Sequence, residues 1–300
     1  MHTILGANGQ IAREVSKELF KNYTQKIRQV SRNPEKVNTS DEIFSANLLN
    51  PQQTNDAVKG SEIVYLTVGL PLNTKIWQEQ FPIIMHNVVA ACERQKAKLA
   101  FFDNTYMYPQ NAHPITEETP FQPVGEKGKV RAEIAEFLLK AMLEKRIEAV
   151  ICRAPEFYGK DKTQSFINTF LFNKIKENKK PQVMLNEKTL RTLIWTPDAA
   201  KAMILIASQS ENYNQTWHLP CDDNRLSFEE MIKLSEKIKK RKIEYEILSR
   251  ESIESNYSEL SELLPRYEYD NIFVSDKFKQ KFPEFEITSY ETGIRLMIEE

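Results

Sequence analysis

The sequence is poor in cysteine and carries almost no net charge. Its three cysteines, Cys92, Cys152 and Cys221, are widely spaced and odd in number, so the sequence indicates neither a disulfide framework nor a cysteine metal cluster. The 41 basic and 42 acidic residues nearly cancel, which removes the electrostatic basis for binding nucleic acid or an acidic membrane surface. Reduced thiols and balanced charge lead us to expect a cytoplasmic protein.

Long apolar runs and abundant glycine are also missing. No stretch approaches the roughly 20 apolar residues that span a membrane, and the apolar start ends at Gly6, too early for a signal peptide. The 8 glycines against 14 prolines favour defined loops over flexible linkers. With 41% hydrophobic residues, 300 positions can bury one large core or two modest ones. We expect a globular protein with no membrane and no nucleic-acid partner.

The chain does contain a strand–turn–helix pattern at its start. Residues 1–5 are apolar, Gly6 and Gly9 interrupt them, and a helical repeat follows at Ile11 and Val15. Glycines let the backbone approach a pyrophosphate, and the helix N-terminus offers free N–H groups, so this pattern is typical of dinucleotide binding. A glycine pair alone is a weak signal, because ordinary strand–helix turns also use glycine. The turn residues that we predict to contact a cofactor are Gly6, Asn8, Gly9, Gln10 and Ile11.

Strand and helix patterns alternate over the first half of the chain. Strand-like segments lie at residues 26–30, 43–48, 62–67, 98–103 and 148–153, and amphipathic helices at 77–95 and 126–145. This alternation predicts an α/β fold with a Rossmann-type doubly wound parallel sheet. We predict an NAD(P)-binding domain at residues 1–155 and a smaller mixed α/β substrate-binding domain at residues 156–300. Residues 216–219 look like a late strand that returns to the first domain.

Two helix caps are predicted in the second half of the chain. Ser227 precedes an amphipathic segment with acidic residues in its first turn, and Asp198 precedes another at residues 199–208. Hydroxyl and carboxylate oxygens accept hydrogen bonds from the free N–H groups of a helix start. We therefore predict that Ser227 and Asp198 are N-caps.

The end of the second strand indicates which dinucleotide to expect. An acid there accepts from the adenosine ribose 2′-hydroxyl, whereas an arginine accommodates a 2′-phosphate. No acid lies between Ile27 and Pro34, and Ser31 with Arg32 offers a hydroxyl and a guanidinium. We predict NADP(H), with NAD(H) as the alternative. The competing interpretation is that Arg32 is only a solvated residue.

Further motifs follow in a recognisable order. They are Gly6-x-x-Gly9-x-x-Ala12, Asn47-Leu48, the segment Thr67-Val68-Gly69-Leu70-Pro71, Arg153-Ala154-Pro155-x-Phe157-Tyr158-Gly159 and Arg191-x-x-Ile194-x-x-x-Asp198. Together they resemble the extended short-chain dehydrogenase/reductase family, in its NAD(P)-dependent epimerase/dehydratase-like branch, over most of the chain. The resemblance implies cofactor contacts at Asn47, Leu48, Thr67, Val68, Gly69 and Pro155. It implies substrate contacts at Leu70, Tyr108, Glu156, Arg191 and Trp195.

The chemistry of that family is only partly retained. Its members use a Ser or Thr after the fifth strand and a Tyr-x-x-x-Lys on the next helix, where positions i and i+4 share one face. The lysine lowers the phenol pKa and holds the nicotinamide ribose, while the tyrosine transfers a proton. By resemblance, the hydroxyl position falls on Asn104, the tyrosine on Gly125 and the lysine on Lys129. The tyrosine is therefore missing and the lysine is kept.

Three interpretations of this loss remain open. In an atypical enzyme, Asn104 binds the substrate oxygen, Tyr106 supplies the proton and Lys129 holds the ribose. Alternatively, the protein is a catalytically silent NADP(H) sensor. In the third, Lys129 itself is the acid. For Tyr106, function and packing weigh equally, and for Tyr108 a structural role is favoured.

We favour an NADP(H)-dependent oxidoreductase or epimerase/dehydratase-like enzyme that acts on a small polar or sugar-derived molecule. Its expected catalytic residues are Tyr106, Asn104 and Lys129. Arg191 is expected either to bind substrate phosphate or to form a surface salt bridge. The helices at 77–95 and 126–145 are candidates for a homodimer interface, although core packing explains the same apolar stripes.

Overall fold

The computed structural model describes residues 1–161 and 165–299. The strands are β1 (His2–Leu5), β2 (Ile27–Ser31), β3 (Glu42–Ser45), β4 (Ile63–Leu66), β5 (Lys98–Asp103), β6 (Ala149–Arg153), β7 (Glu156–Tyr158), β8 (Gln182–Met184), β9 (Leu190–Arg191), β10 (Leu193–Trp195), β11 (Gln215–His218), β12 (Leu226–Ser227) and β13 (Glu246–Leu248). The α-helices are α1 (Gln10–Asn22), α2 (Pro51–Val58), α3 (Thr74–Gln95), α4 (Gly125–Leu143), α5 (Asn173–Lys176), α6 (Thr196–Ala207), α7 (Phe228–Lys239), α8 (Arg250–Asn256), α9 (Pro265–Glu268), α10 (Asp276–Lys281) and α11 (Tyr290–Ile298). A π-helical segment spans Ile167–Phe172, and 3₁₀ turns span Ser210–Asn212 and Ser258–Leu263.

Seven strands form one parallel sheet in the order β3-β2-β1-β4-β5-β6-β11. The chain runs outward from β1 to β2 and β3, then returns to β4 and continues outward on the other side. The strand order thus reverses between β1 and β4, and ligands of open α/β sheets bind at the carboxyl ends of the strands at such a point. The predicted Rossmann-type sheet is confirmed.

The strands are apolar because helices cover the sheet on both faces. All residues of β4 and β6 are buried. One face packs against α3 and α4 through residues such as Val88 and Leu138, and the other against α1 and α6 through Val15 and Met203. Within the described residues, no helix is long and apolar enough to cross a membrane.

The second half of the chain has its own apolar cluster and also completes the main sheet. Phe172, Met231 and Ile294 belong to this third cluster. The strand β11 pairs in parallel with β6. The division into domains at residues 155 and 156 stays a prediction. Lys162, Thr163, Gln164 and Glu300, which fall in the second predicted domain, lie outside the described residues.

The two predicted helix caps have different outcomes. Ser227 caps α7, and its hydroxyl accepts from the Glu230 N–H while the Glu230 carboxylate accepts from the Ser227 N–H. Asp198 is not a cap, because α6 begins earlier, at Thr196. Its buried carboxylate accepts instead from the backbone N–H of Thr288 at 2.7 Å and from the Thr288 hydroxyl at 3.1 Å. Asp198 therefore ties a distant C-terminal segment to the first turn of α6.

Candidate active site

The glycine turn after β1 packs tightly against the loop that follows β4. Gly6 has a φ of +96°, and a Cβ at this position would lie 2.9 Å from the backbone of Val68, so only glycine fits. The Thr67 hydroxyl donates to the Leu5 carbonyl at 3.1 Å and fixes the same loop to β1. Gly9 is the N-cap of α1, and no side chain in the described ranges caps this helix. Its first N–H groups and positive dipole end are therefore available to a pyrophosphate.

The end of β2 offers a cation and no free acid. Arg32 is exposed and makes no ion pair with any residue of the described ranges, and the Ser31 hydroxyl is buried without a hydrogen-bond partner among them. Of the nearby acids, Asp41 is buried and bonded to Gln29 at 2.8 Å, and Glu42 pairs with the Arg28 side chain. Neither acid lines the cavity described next.

A cavity of about 700 Å³ runs from the glycine turn along the carboxyl edge of the sheet, a volume typical of small-molecule sites. The predicted site residues that line it are Gly6, Asn8, Gly9, Gln10, Ile11, Ser31, Arg32, Asn47, Leu48, Thr67, Val68, Gly69, Leu70, Asn104, Tyr106, Pro155 and Glu156. The predicted site residues that are not in its lining are Lys129, Tyr108, Arg191 and Trp195.

Lys129 lies on the outer side of α4. Its side chain is 62% exposed, and its amine pairs with Glu126 at 2.7 Å. Gly125, which aligns with the missing tyrosine, has a φ of +74°, and a Cβ there would collide with the Glu262 side chain. The expected roles of Lys129 in ribose binding and proton transfer are therefore corrected, because its position on the helix turns it away from the cavity.

The inward face of α4 begins with Lys127 and Arg131, which are both buried and spaced i, i+4. The Lys127 amine does not line the cavity and binds Glu259 and Glu262, at 2.6 Å each. Arg131 does line the cavity, with its guanidinium carbon 5.0 Å from the centre of the Phe81 ring. Arg131 is thus the cation that α4 brings to the site.

The turn after β5 delivers Asn104 and Tyr106 to the cavity. The Asn104 Oδ1 accepts from the Tyr106 backbone N–H at 3.0 Å, which leaves the side-chain NH₂ group as a donor. The Tyr106 ring stacks on Trp77 with centroids 5.9 Å apart, and the Arg266 guanidinium carbon lies 5.1 Å from its centre. Burial raises the pKa of the Tyr106 phenol, against the opposing charge of Arg266. The phenol is therefore protonated at neutral pH and can donate.

Tyr108 is fully buried beneath the cavity and does not contact it. The His218 Nδ1–H donates to the Val274 carbonyl at 2.7 Å, so Nε2 is free to accept from the Tyr108 hydroxyl at 2.9 Å. The same hydroxyl accepts from Arg153 Nη1 at 2.6 Å. Burial raises the pKa of Tyr108 to about 12 and lowers that of His218 to about 3. The substrate contact implied for Tyr108 is corrected, because its hydroxyl is held in this buried network. The structural role that the sequence analysis favoured agrees with that placement, and His218 is neutral.

Asp103 joins this buried network to the cavity. Its carboxylate, 1% exposed, lies between two arginines. Arg131 Nε donates to Oδ1 at 3.1 Å, and Arg153 Nε donates to Oδ2 at 3.2 Å. Charge-assisted hydrogen bonds of this kind fix both partners. Asp103 therefore holds the Arg131 guanidinium in the cavity wall.

Glu156 lines the cavity, and Arg191 lies behind it. Arg191 is 1% exposed, with Nη2 3.7 Å from Glu156 Oε2, and its Nη1 donates to the Arg266 carbonyl at 2.7 Å. Both expectations for Arg191, a phosphate contact and a surface salt bridge, are corrected, since the guanidinium faces neither ligand space nor solvent. The predicted substrate contact of Trp195 is also corrected, because its ring packs in the core 5.1 Å from that of Tyr158.

Sequence reasoning missed several lining residues, chiefly Arg131 and Arg266. Arg131 had a signal, because following the apolar stripe of α4 back from Leu138 through Ile134 at helical spacing leads to it. Arg266 had none, since it lies in a polar segment without periodicity. Other missed lining residues are Asn33, Ala46, Leu49, Leu72, Trp77, Gln80, Phe81, Ile84, Phe102, Asp103, Thr105, Ser165 and Phe166.

A doubly wound parallel sheet, a glycine turn at its first crossover and a cavity along its carboxyl edge define a dinucleotide-binding protein of the Rossmann class. The sequence model of the NAD dependent epimerase/dehydratase family matches residues 2–218. The chain belongs to this family and is a nicotinamide-dinucleotide-dependent enzyme of the epimerase/dehydratase type, as its motifs indicated. Among curated proteins, no sequence match is found.

Solved structures with the same fold are distant in sequence. UDP-glucuronic acid 4-epimerase from Bacillus cereus, in complex with NAD, is 14% identical with a TM-score of 0.83 and covers 99% of this chain and 97% of its own. UDP-glucose 4-epimerase from Thermus thermophilus, also with NAD, is 12% identical with a TM-score of 0.79 and coverages of 100% and 98%. UDP-glucose 4-epimerase from Thermotoga maritima, with UDP-glucose, is 15% identical with a TM-score of 0.81 and coverages of 100% and 98%.

Proposed function

We propose that the protein is an NADP(H)-dependent oxidoreductase or epimerase/dehydratase-like enzyme that acts on the carbonyl or hydroxyl group of a small polar or sugar-derived molecule. The observation that carries this proposal is that Asn104, Tyr106 and Arg131 all line the same cavity. The epimerases of similar fold that were crystallised with NAD or UDP-glucose support a dinucleotide and a sugar-derived substrate.

The preference for NADP(H) over NAD(H) rests on the end of β2. Arg32 and Ser31 both line the cavity, and the nearby Asp41 and Glu42 do not. A guanidinium binds a phosphate with two parallel hydrogen bonds, whereas a ribose 2′-hydroxyl is usually held by a carboxylate. This arrangement favours a 2′-phosphate.

We assign the cavity residues the following roles in the reduction of a carbonyl group. NADPH, when held by the glycine turn and Arg32, would supply a hydride to a carbonyl carbon of the substrate. The side-chain NH₂ of Asn104 donates to the carbonyl oxygen, and the Tyr106 hydroxyl gives its proton to that oxygen as negative charge develops there. Arg131, fixed by Asp103, stabilises the same charge but transfers no proton, because an arginine stays charged at any working pH. Oxidation of an alcohol follows the reverse path.

Single-turnover oxidation of enzyme-bound NADPH tests this proposal. Neutral and charged sugar-derived carbonyl compounds would be mixed with the NADPH complex, and the loss of nicotinamide absorbance followed. Tyr106→Phe should slow the reaction by about 10²- to 10⁴-fold, the usual contribution of a general acid, with NADPH affinity unchanged. Tyr269→Phe changes an exposed tyrosine and is the matched control. Equal rates for Tyr106→Phe and the wild type would remove Tyr106 from the mechanism.

The alternative function is a catalytically silent NADP(H) sensor. It is favoured by the absence of the family's tyrosine, since Gly125 lies at the start of α4 and away from the cavity lining. A protein that binds NADPH tightly and oxidises it with no compound of the panel would support the sensor. The cytoplasmic location and the homodimer stay predictions. Two apolar side chains on the helices predicted to form the dimer interface, Ile83 of α3 and Leu143 of α4, are 45% and 84% exposed.

A further inference from the structure

Buried charges around the inner end of the cavity do not balance. Four guanidinium groups and two carboxylates meet there, namely those of Arg131, Arg153, Arg191 and Arg266 and of Asp103 and Glu156. His218 adds no charge, because burial lowers its pKa to about 3. These six groups therefore carry an excess of two positive charges, which the neighbouring Lys127 with its two acids, Glu259 and Glu262, reduces to one. Buried charge without a counter-charge is unfavourable, and an anionic ligand would relieve it.

Arg266 is the member of this cluster that is open to a ligand. The other three guanidiniums each contact one of the two carboxylates. Arg266 lines the cavity, is 9% exposed and makes no ion pair within residues 1–161 and 165–299. Its Nη2 lies 3.5 Å from the Thr105 hydroxyl, and its Nε has no hydrogen-bond partner among those residues. These donors are the kind that bind carboxylate and phosphate oxygens.

Other acidic groups near Arg266 are already engaged. Glu259 and Glu262 converge on Lys127, and the Glu259 side chain is 37% exposed to water. Asp270 accepts from the Leu190 backbone N–H at 2.8 Å. None of these carboxylates forms an ion pair with Arg266 in the part of the chain that the structure describes.

We propose that the substrate is a small hydroxy or oxo acid, whose carboxylate or phosphate group binds the Arg266 guanidinium while its reacting carbon faces Asn104 and Tyr106. This inference rests on the proposed function of the same site. The Arg266 guanidinium carbon lies 5.1 Å from the centre of the Tyr106 ring. The two groups are therefore close enough for one short ligand to contact both.

A nucleotide sugar fits this wall less well. Arg191, which the family resemblance offers for a substrate diphosphate, is sealed behind Glu156 and binds the Arg266 carbonyl. Of the arginines of the described residues that meet at this end of the cavity, Arg266 is the one that has no carboxylate partner. One oxyanion group on a short molecule matches that arrangement.

Matched pairs of compounds test the inference on the NADPH-loaded full chain. Pyruvate and succinate semialdehyde would be compared with acetone and butanal, and dihydroxyacetone phosphate with dihydroxyacetone. Turnover and calorimetric binding would be measured for each, and UDP-glucose would be the nucleotide-sugar arm. A charge-assisted contact predicts kcat/KM roughly 10- to 150-fold higher for the acid of a pair. The carboxylate and phosphate arms show which oxyanion is preferred.

Variants of Arg266 separate charge recognition from general structure. Because Arg266 also packs against the Tyr106 ring, the readout is the ratio of kcat/KM between the acid and the neutral member of each pair. This ratio should fall to near one in Arg266→Gln, mainly through KM. Arg266→Lys should restore part of the preference for the acid. Arg295→Gln, a surface change, is the control. Equal losses for acids and neutral compounds, or Arg266-dependent binding of UDP-glucose in preference to every small acid, would overturn the inference.

The two proposals can fail separately. Binding of the acids to the NADPH complex, lost in Arg266→Gln, supports the anion site even when no compound is turned over. In that case the proposed catalysis fails and the inference about the ligand stands. If neutral compounds are turned over without any preference for acids, the proposed catalysis stands and the anion site at Arg266 is rejected. If Arg266→Gln does not fold, the wild-type ratio between the members of each pair decides alone, and a ratio near one rejects the anion site.

Discussion

At the scale of single residues, α4 brings Arg131 to the cavity and keeps Lys129 in solvent. A helix turns by about 100° per residue, so a displacement of two positions moves a side chain to a different face. Arg131 is buried against Asp103, whereas Lys129 pairs only with Glu126 on the outer surface. Lys129, which aligns with the family's lysine, therefore does not reach the cavity, and Arg131 is the cation of α4 that lines it.

A pair of variants on this helix measures that difference. Arg131→Met should lower turnover by at least tenfold, because it removes the cation of the wall and leaves Asp103 with one partner. Lys129→Met should leave turnover and NADPH affinity unchanged, and the free energy of unfolding should stay within about 0.5 kcal/mol. Steady-state kinetics and urea unfolding of both variants provide the measurement. Loss of activity in Lys129→Met alone would contradict the placement.

Arg32 is expected to select the cofactor. Arg32→Asp replaces a phosphate-binding cation by a group that repels a 2′-phosphate and accepts from a 2′-hydroxyl. The ratio of NADPH to NADH affinity should fall by roughly tenfold to a hundredfold, the worth of one charge-assisted hydrogen bond. Fluorescence titration of both cofactors checks this, with the exposed Arg250→Asp as the control. An unchanged ratio would refute the phosphate interpretation.

At the scale of elements, local sequence patterns set the helix starts where a cap is complete. The helix α7 begins where Ser227 and Glu230 exchange hydrogen bonds between side chain and backbone. The start of α6 could not be derived in this way, because Asp198 is bonded to Thr288, which lies 90 residues further along the chain. A short polar side chain before an apolar stripe can accept hydrogen bonds from the helix N–H groups or from a distant segment. Which of these bonds forms depends on tertiary packing.

Removing the cap of α7 should cost a predictable amount of stability. Ser227→Ala leaves the Glu230 N–H without its acceptor and should lower the free energy of unfolding by about 1 kcal/mol. Ser255→Ala changes an exposed serine of α8 and should have little effect. Urea unfolding of the two variants gives the comparison. A change below about 0.3 kcal/mol in Ser227→Ala would mean that packing alone defines this helix start.

At the scale of the whole molecule, β11 forms one edge of the seven-stranded sheet and places His218 in the interior. His218 joins Tyr108 to the Val274 carbonyl, so the sheet, the turn below the cavity and the C-terminal segment meet at one imidazole. Burial lowers the pKa of this imidazole from its usual 6.5 to about 3. Between these values the unfolded chain binds a proton that the folded chain excludes.

Stability should therefore fall as the pH decreases from about 6.5, by up to about 1.4 kcal/mol per pH unit from His218 alone. Glu117 acts in the opposite sense, since burial raises its pKa and the folded state takes up its proton first. His218→Gln should remove the His218 part of the slope, while His113→Gln, at an exposed position, should not. Urea unfolding of the wild type and both variants between pH 4 and 7 measures the slope of the free energy of unfolding against pH. Parallel slopes in His218→Gln and the wild type would contradict the assignment.

The parallel sheet, the glycine turn and the family could all be predicted from the amino-acid sequence. These depend on short-range patterns: the period of apolar residues, and glycine at a position such as Gly6, where no other side chain fits. The predicted turn residues, Ser31, Arg32 and the loop of residues 67–70 all line one cavity, because parallel strands present their carboxyl ends at one edge.

Which charged groups line the cavity could not be predicted from the sequence, because it depends on the folded chain. Arg191 and Arg266 have similar chemistry, yet one is sealed behind Glu156 and the other lines the cavity. Their orientations depend on contacts between segments about 75 residues apart, such as the bond from Arg191 to the Arg266 carbonyl. No local pattern encodes a contact of that separation. The glycine turn could therefore be predicted from the sequence, whereas the proposed anion site beside Tyr106 could be inferred only from the folded structure.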